Sequence, residues 1–294
     1  SRLSGGSLGG KARGLAFARK MLNQSGIQNQ FENIIINIPQ TAVIGTDEYD
    51  RFMKDNDLWS KALKIVDDQK LEKLFLESRF SLDIILKLES YLQENTKPLA
   101  VRSSSLLEDS QYQPLAGAYE TFMLPNNQEN FKDRLNDVLK TIKLIYASIF
   151  KGDSRALLYN TAHRIEEEKM AVIIMEIAGQ EYSSGRYYPS ISGIIKSINY
   201  YPVSYMKRDE GVAYLSLGFG KNIVDGGKCI RISPKYPKIH PQFYSTRSTL
   251  QSSQNHFYGL DLTDNIEKNI NQDLTKYSLK EAEMDGVLKW MGSV

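Results

Sequence analysis

The stretch that most constrains the fold runs from residue 98 to residue 124, PLAVRSSSLLEDSQYQPLAGAYETFML. The short apolar run at its start predicts a buried strand, which leads directly into Arg102, Ser103 and Ser104. A second strand-like run, residues 118–124, follows Gly117. The pattern therefore predicts two strands of one sheet, with a guanidinium and several hydroxyls collected at a strand end.

These side chains suit a phosphate group. The guanidinium of Arg102 offers a planar fork of donors that binds phosphate bidentately, and nearby hydroxyl and backbone N–H groups add further donors. An ordinary polar turn between two strands is the alternative, because serine-rich turns are common.

A second candidate anion site lies near the start of the chain. Residues 4–10, SGGSLGG, predict a flexible glycine loop, and apolar residues spaced three or four apart predict a helix over residues 12–22. Free N–H groups and the positive end of the helix dipole then lie where an anion can bind, beside Lys11. The spacing before the lysine is not that of a P-loop, and a simple linker is the alternative.

Other segments have clear secondary-structure patterns. Strands are predicted at residues 33–38, 170–178, 192–199 and 212–217. A long helix is predicted over residues 127–150, capped by Asn126 or Asn127, and a last helix over residues 279–290. Residues 234–258 are expected to be irregular.

Composition excludes several classes of protein. The chain has 294 residues and a formal net charge of +2, which allows one large domain or two ordinary ones and gives no support for a nucleic acid or membrane partner. The single cysteine, Cys229, excludes an intrachain disulfide and fits a cytoplasmic protein. The longest apolar run, residues 170–178, is far short of a bilayer span. The glycine-rich start without Met suggests a piece of a longer protein.

The stretch over residues 98–124 resembles the V-R-S-S-x-x-x-E-D…A-G-x-x-E-T-F signature of the nucleotide-binding domain of pyruvate phosphate dikinase and phosphoenolpyruvate synthase. The matching residues are Val101, Arg102, Ser103, Ser104, Glu108, Asp109, Ala116, Gly117, Glu120, Thr121 and Phe122.

Three further motifs are similar to motifs of the same family and follow in the same order. Gly9, Gly10 and Lys11 resemble its G-G-K-x-x-x-L turn, and residues 192–199 resemble its S-G-V-x-F-T-x-N strand. Residues 218–227 resemble its G-L-G-E-x-V-V-x-G loop, although a phenylalanine replaces Leu and Lys221 replaces Glu. The resemblance covers residues 5–230.

The resemblance implies an α/β (α+β), ATP-grasp-like fold, with mixed sheets and flanking helices in two lobes. We expect the first lobe over residues 1–125, with the glycine loop and the V-R-S-S motif. The second lobe, with an incomplete C-terminal part of the same ATP-grasp-like unit, is expected over residues 126–294.

The resemblance also implies ATP and Mg²⁺ as cofactors, with Lys11 and Arg102 as the catalytic cations on the polyphosphate. The implied nucleotide-binding residues are Gly9, Gly10, Lys11, Arg102, Ser103, Ser104, Gly117, Thr121, Met175, Glu176, Ile177, Gly218 and Gly220. Residues 175–177 would meet the adenine through backbone groups, although the family often has Gln in place of Met175; a plain core strand is the alternative. The metal ligands stay unknown, because the family's D-x-E-x-x…Q-x-R segment is not found in this sequence.

The activity implied is that of a phosphotransferase that phosphorylates a histidine on another domain and passes the phosphoryl group to pyruvate. The family's T-x-x-x-x-S-H-A motif is not found in this sequence, so we expect the histidine domain elsewhere in the full-length protein and no turnover by this chain alone. The alternatives are a different acceptor (a glucan or a small molecule), a non-catalytic nucleotide-binding regulatory module, and an α/β scaffold without a ligand.

Overall fold

The computed structural model describes residues 1–105, 119–159, 165–182, 184–203, 205–240, 242–263 and 274–288. The chain divides into two compact units. The first contains Ser1–Ile177, and the second contains Ala178–Asn265 and Asp273–Val294.

The first unit is built on a four-stranded sheet. Its strands are β1 (Thr41–Ile44), β2 (Leu99–Ser104), β3 (Thr121–Leu124) and β4 (Ala171–Glu176). The strand order is β1-β4-β2-β3, and each neighbouring pair is antiparallel. The apolar run predicted over residues 170–178 is thus confirmed as a strand, and it lies in the interior of the sheet.

Helices of the first unit flank this sheet. They are α1 (Gly9–Ser25), α2 (Thr46–Asp55), α3 (Trp59–Lys64), α4 (Asp68–Glu77), α5 (Leu82–Glu94), α6 (Phe131–Ser148) and α7 (Gly152–Tyr159). Short 3₁₀ turns occur at Ile27–Asn29 and Ile165–Glu167. The main core packs on one face of the sheet and includes Phe52, Phe75 and Tyr146 from α2, α4 and α6.

The second unit contains two smaller sheets. One has the order β11-β10-β6-β5 and the other β7-β8-β9, again with antiparallel neighbours. The strands are β5 (Gln180–Glu181), β6 (Arg186–Tyr188), β7 (Ser192–Lys196), β8 (Val212–Ser216), β9 (Ile230–Ile232), β10 (His256–Asp261) and β11 (Thr275–Ser278). The helical segments are a 3₁₀ turn at Arg208–Glu210 and the helices α8 (Lys221–Val224), α9 (Thr246–Ser252) and α10 (Leu279–Met284).

The α/β fold class with flanking helices is confirmed. The sequence suggested lobes of 1–125 and 126–294, whereas the units divide after Ile177. The reason is that β4 pairs with both β1 and β2. The chain up to the end of β4 therefore belongs to the first unit.

Three local predictions also differ from the structure. The strand predicted at residues 33–38 is wrong: this segment has no regular structure, and Ile35 is 90% exposed. The strand of this region begins at Thr41 because its partner strand, β4, ends at Glu176, whose N–H donates to the Gln40 carbonyl. The long helix begins later than predicted, with Asn130 as its cap, and residues 234–258 include helix α9, capped by Ser245.

Candidate functional site

One face of the first sheet carries the arginine of the V-R-S-S motif. Directly opposed residues of neighbouring strands place their side chains on the same face of a sheet. Arg102 lies opposite Thr121 of β3 and opposite Ile173 of β4, and Met175 lies opposite Ala100. This set of five residues defines the arginine face.

Among the described residues, the arginine face is only partly covered. Helix α1 packs over the side nearer β1, where Ala12, Val43 and Ile173 form a small buried cluster. Thr121 at the other side is exposed. Within the described ranges, the side of the arginine face that carries Thr121 is therefore accessible.

Arg102 has an unsatisfied donor on this face. Its side chain is half-buried, and its Nε is buried without a hydrogen-bond partner among the described residues. A buried donor without a partner is costly. An anionic group on the arginine face would satisfy it, so the residues present fit a nucleotide phosphate.

The glycine loop is packed against the end of β2. Gly9 has a φ of +72°, and a Cβ atom there would lie 1.9 Å from the Ser104 carbonyl oxygen, so only glycine fits. The N–H of Gly10 donates to the Ser105 carbonyl at 3.0 Å. These contacts bring the start of α1, with Lys11 in its first turn, to the same strand end as Arg102.

Ser104 is the link between the loop and the strand. Its hydroxyl donates to the Leu8 carbonyl at 2.8 Å and accepts the N–H of Ala12 at 3.2 Å, and the residue is fully buried. Ser103 is also fully buried, and strand alternation places it on the core face rather than the arginine face. The expected role of both hydroxyls on a phosphate therefore lacks support in this geometry, since one is engaged and the other faces the core.

The rest of the loop is tied to the start of α2. The N–H of Ser7 donates to the Thr46 hydroxyl at 2.8 Å, and the N–H of Thr46 donates to the Ser7 carbonyl at 3.0 Å. A Cβ at Gly6, where φ is +83°, would lie 2.4 Å from a carboxylate oxygen of Asp47. The loop that the sequence predicted to be flexible is thus a packed element of the structure.

The adenine-side candidates are arranged differently from the expectation. The N–H of Glu176 donates to Gln40 and that of Ile177 to Pro98, each at 2.9 Å, so neither N–H is available to a base. The Glu176 carboxylate pairs with Lys97. The side chain of Met175 lies on the arginine face, where it is half-buried and packs against the cluster of Ala12, Val43 and Ile173.

The second glycine loop belongs to the second unit. Gly218 has a φ of +72°, and its Cβ would lie 2.6 Å from the Tyr258 carbonyl oxygen, which also accepts the N–H of Phe219 at 2.9 Å. Gly220 precedes α8, in which Lys221 forms an ion pair with Asp225 at 3.3 Å. The lysine that replaces the family's Glu thus has an acidic partner at the C-cap of its own helix.

Gly117 lies outside the described residues, as do Glu108 and Asp109.

Sequence reasoning missed two residues that lie on or beside the arginine face, Ile173 and Met123. Strict alternation would have found Met123, because the two buried residues of β3, Phe122 and Leu124, leave Thr121 and Met123 for the opposite face.

A comparison with known protein families gives a match that covers nearly the whole chain. Residues 6–293 match the family described as the pyruvate phosphate dikinase AMP/ATP-binding domain. The chain belongs to this family. An uncharacterized phosphotransferase of Bacillus subtilis (strain 168), YvkC, is 28% identical over 192 residues, which cover 64% of this chain and 20% of the relative. The chain thus spans about a fifth of the length of that curated relative.

Family membership confirms the resemblance found in the sequence and makes the chain an AMP/ATP-binding domain of the pyruvate phosphate dikinase type. Among the described residues, no group of three or more His, Cys, Asp or Glu side chains is placed so that it could hold a metal ion. None of the helices in the described ranges combines the length and apolar character needed to cross a bilayer.

Proposed function

We propose that the chain is the ATP-binding part of a phosphotransferase that phosphorylates a histidine on another domain and passes the phosphoryl group to pyruvate. The observation that carries the proposal is the Nε of Arg102, which is buried and has no hydrogen-bond partner among the described residues, at the strand end where the glycine loop is docked. The family's description as an AMP/ATP-binding domain supports a nucleotide as the ligand.

In this proposal Arg102 binds a phosphate through its free donor, and Lys11 adds a second cation at the start of α1. Fixed cations stabilise charge that develops during phosphoryl transfer. Thr121, Met175 and the glycines at residues 9 and 10 would line the nucleotide. Gly117, Gly218 and Gly220 remain proposed nucleotide contacts.

Mg²⁺ is the divalent cation expected with ATP, because phosphoryl transfer from a nucleotide uses a metal on the phosphate oxygens. We further propose a cytoplasmic location and pyruvate as the acceptor; a glucan or another small molecule is the alternative acceptor.

The experiment that tests this function is transfer of label from ATP, labelled at the β or γ position, to the full-length protein. We expect acid-labile label on a histidine outside this chain, and its loss in an Arg102→Ala variant that still folds. A full-length protein that binds ATP but acquires no label on histidine would support the non-catalytic regulatory module instead.

A further inference from the structure

The three-stranded sheet of the second unit has a face whose side chains are set by the strand register. Ile194 of β7 lies opposite Tyr214 of β8, which lies opposite Arg231 of β9. Strand alternation adds Lys196 and Ser216 to the same face. We call these five residues, together with Ser233, the Tyr214 face.

A cavity opens on this face. It has a volume of about 230 Å³ and is lined by Tyr214, Cys229, Arg231 and Gln242. Two hydrogen bonds hold the Gln242 side chain in place at the cavity. Its side-chain N–H donates to the Cys229 carbonyl at 2.9 Å, and its side-chain oxygen accepts the backbone N–H of Arg231. A cavity of about 150 Å³ accommodates benzene, so this one has room for a ring and an ionic group.

The guanidinium of Arg231 is oriented but not saturated. Its Nη2 donates to the Asn199 side-chain oxygen at 2.8 Å and to the Tyr201 carbonyl. Its Nε and Nη1 have no partner in the part of the chain that the structure describes. A guanidinium held on one side leaves its remaining donors directed toward an acceptor, which is the usual arrangement for binding an anion.

Two hydroxyls on the face also lack partners. Ser216 and Ser233 are each 1% exposed, and neither hydroxyl has a hydrogen-bond partner among the described residues. Ser233 follows Arg231 by two positions, and Ser216 precedes the glycine loop. Buried hydroxyls are normally satisfied, so each unpaired one on a shared face calls for an explanation.

The local charge favours an anion. The ammonium group of Lys196 lies 6.0 Å from the centroid of the Tyr214 ring. The nearby carboxylate of Glu210 is already neutralised by Lys235 at 2.8 Å and accepts the N–H of Lys207 at 2.9 Å. Residues 192–256 contain nine Lys or Arg against three Asp or Glu, so the segment that supplies the cavity has a net positive charge.

We propose that the Tyr214 face is a second binding site, for a small organic anion that joins a phosphate or carboxylate group to a planar ring. The ring packs on Tyr214, and the anionic group meets the free donors of Arg231 and the ammonium group of Lys196. The site uses residues of the second unit alone, and none of the residues placed in the nucleotide site.

Cys229 offers a direct readout because it lines the cavity, is half-buried and is the sole cysteine of the sequence. The measurement is the rate of its alkylation by iodoacetamide in the presence of phenyl phosphate, benzoate or inorganic phosphate. Burial raises the pKa of the thiol, so the reaction is run at alkaline pH. We expect phenyl phosphate, benzoate or both to slow alkylation. The better of the two identifies the anionic group. Inorganic phosphate is expected to bind up to about tenfold more weakly than phenyl phosphate because it cannot stack on Tyr214.

Variants separate the two parts of the site. Arg231→Gln is expected to abolish protection by all three anions, and Tyr214→Leu to remove the preference for phenyl phosphate over inorganic phosphate. The matched control is Arg247→Gln, which changes an exposed arginine of α9. In this variant the anions should protect Cys229 from alkylation as they do in the wild type. Lys196→Gln replaces Arg231→Gln if circular dichroism shows that the latter is unfolded, and it should weaken protection by every anion. An alkylation rate unaffected by any anion, or protection that persists in Lys196→Gln and folded Arg231→Gln alike, would overturn the proposal.

Discussion

At the scale of single residues, the contact between Gly9 and Ser104 organises the candidate nucleotide site. The hydroxyl of Ser104 joins the carbonyl before α1 to an N–H of its first turn, and Gly9 allows the two backbones to approach closely. The residue types could be read from the sequence. Their mutual contact could not, because Ser104 and Gly9 are 95 positions apart and nothing local encodes which strand end receives the loop.

The chain offers a matched pair of glycines with which to test this contact. Gly9→Ala places a Cβ against the Ser104 backbone and forces a left-handed φ on alanine. We expect a loss of about 1–3 kcal/mol in the free energy of unfolding, together with weaker ATP binding. Gly14→Ala, in the same helix with open space around its Cβ, is expected to raise stability by up to about 1 kcal/mol. Urea unfolding of both variants measures the difference, and equal stability of the two would contradict the packed-loop account.

At the scale of elements, the strands in the sheet interior were the most predictable. The apolar run of β4 is buried on both faces, which makes it evident from composition. The apolar run at residues 33–38 has the same character, yet Ile34 and Ile35 are exposed, because strand formation depends on a partner and β4 ends before it can pair with them. Composition records apolar character but not the length of the neighbouring strand.

In the second unit, β6 is joined to the C-cap of α10 by an ion pair that the sequence did not reveal. Arg186 binds both carboxylate oxygens of Asp285 at 2.7 and 2.9 Å, and the Tyr188 hydroxyl donates to the same carboxylate at 2.8 Å. The side chain of Asp285 is 1% exposed. Burial acts to raise the pKa of Asp285, but the hydrogen bonds from Arg186 and Tyr188 outweigh it and hold the pKa below its usual value of 3.8.

Asp285→Asn is therefore expected to lower the free energy of unfolding by about 3 kcal/mol at neutral pH, because it leaves the Arg186 charge unpaired. A carboxylate whose pKa is lower in the folded state contributes fully above its unfolded pKa, and the contribution disappears as the pH falls through the folded value. The difference between wild type and variant should thus shrink as the pH drops below 3.8. Denaturation at several pH values measures it, with Asp225→Asn in the exposed Lys221 pair expected to change stability by less than about 1 kcal/mol. A difference independent of pH would argue against the ion pair.

At the scale of the whole molecule, the sequence identified the family and the class of ligand, because four motifs occur in the family's order. The lobes expected over residues 1–125 and 126–294 stay a prediction, while the compact units divide after Ile177 because the sheet of the first unit includes β4, which follows α6 in the chain. The arginine and lysine of the proposed site were found from residue type and context. The engaged state of Ser104 and of the N–H groups at residues 176 and 177 depends on tertiary hydrogen bonds and was not readable from the chain.

The most direct test of the nucleotide site is calorimetric titration of this chain with Mg-ATP, using wild type, Lys11→Ala, Arg102→Ala and, as a control, the exposed Arg79→Ala. A lost hydrogen bond to a charged group costs about 1.5–3 kcal/mol, so we expect both site variants to weaken binding roughly ten- to hundredfold while remaining folded. The control should bind as wild type does. Tight binding that neither Lys11→Ala nor Arg102→Ala changes would place the phosphates elsewhere and contradict the central claim.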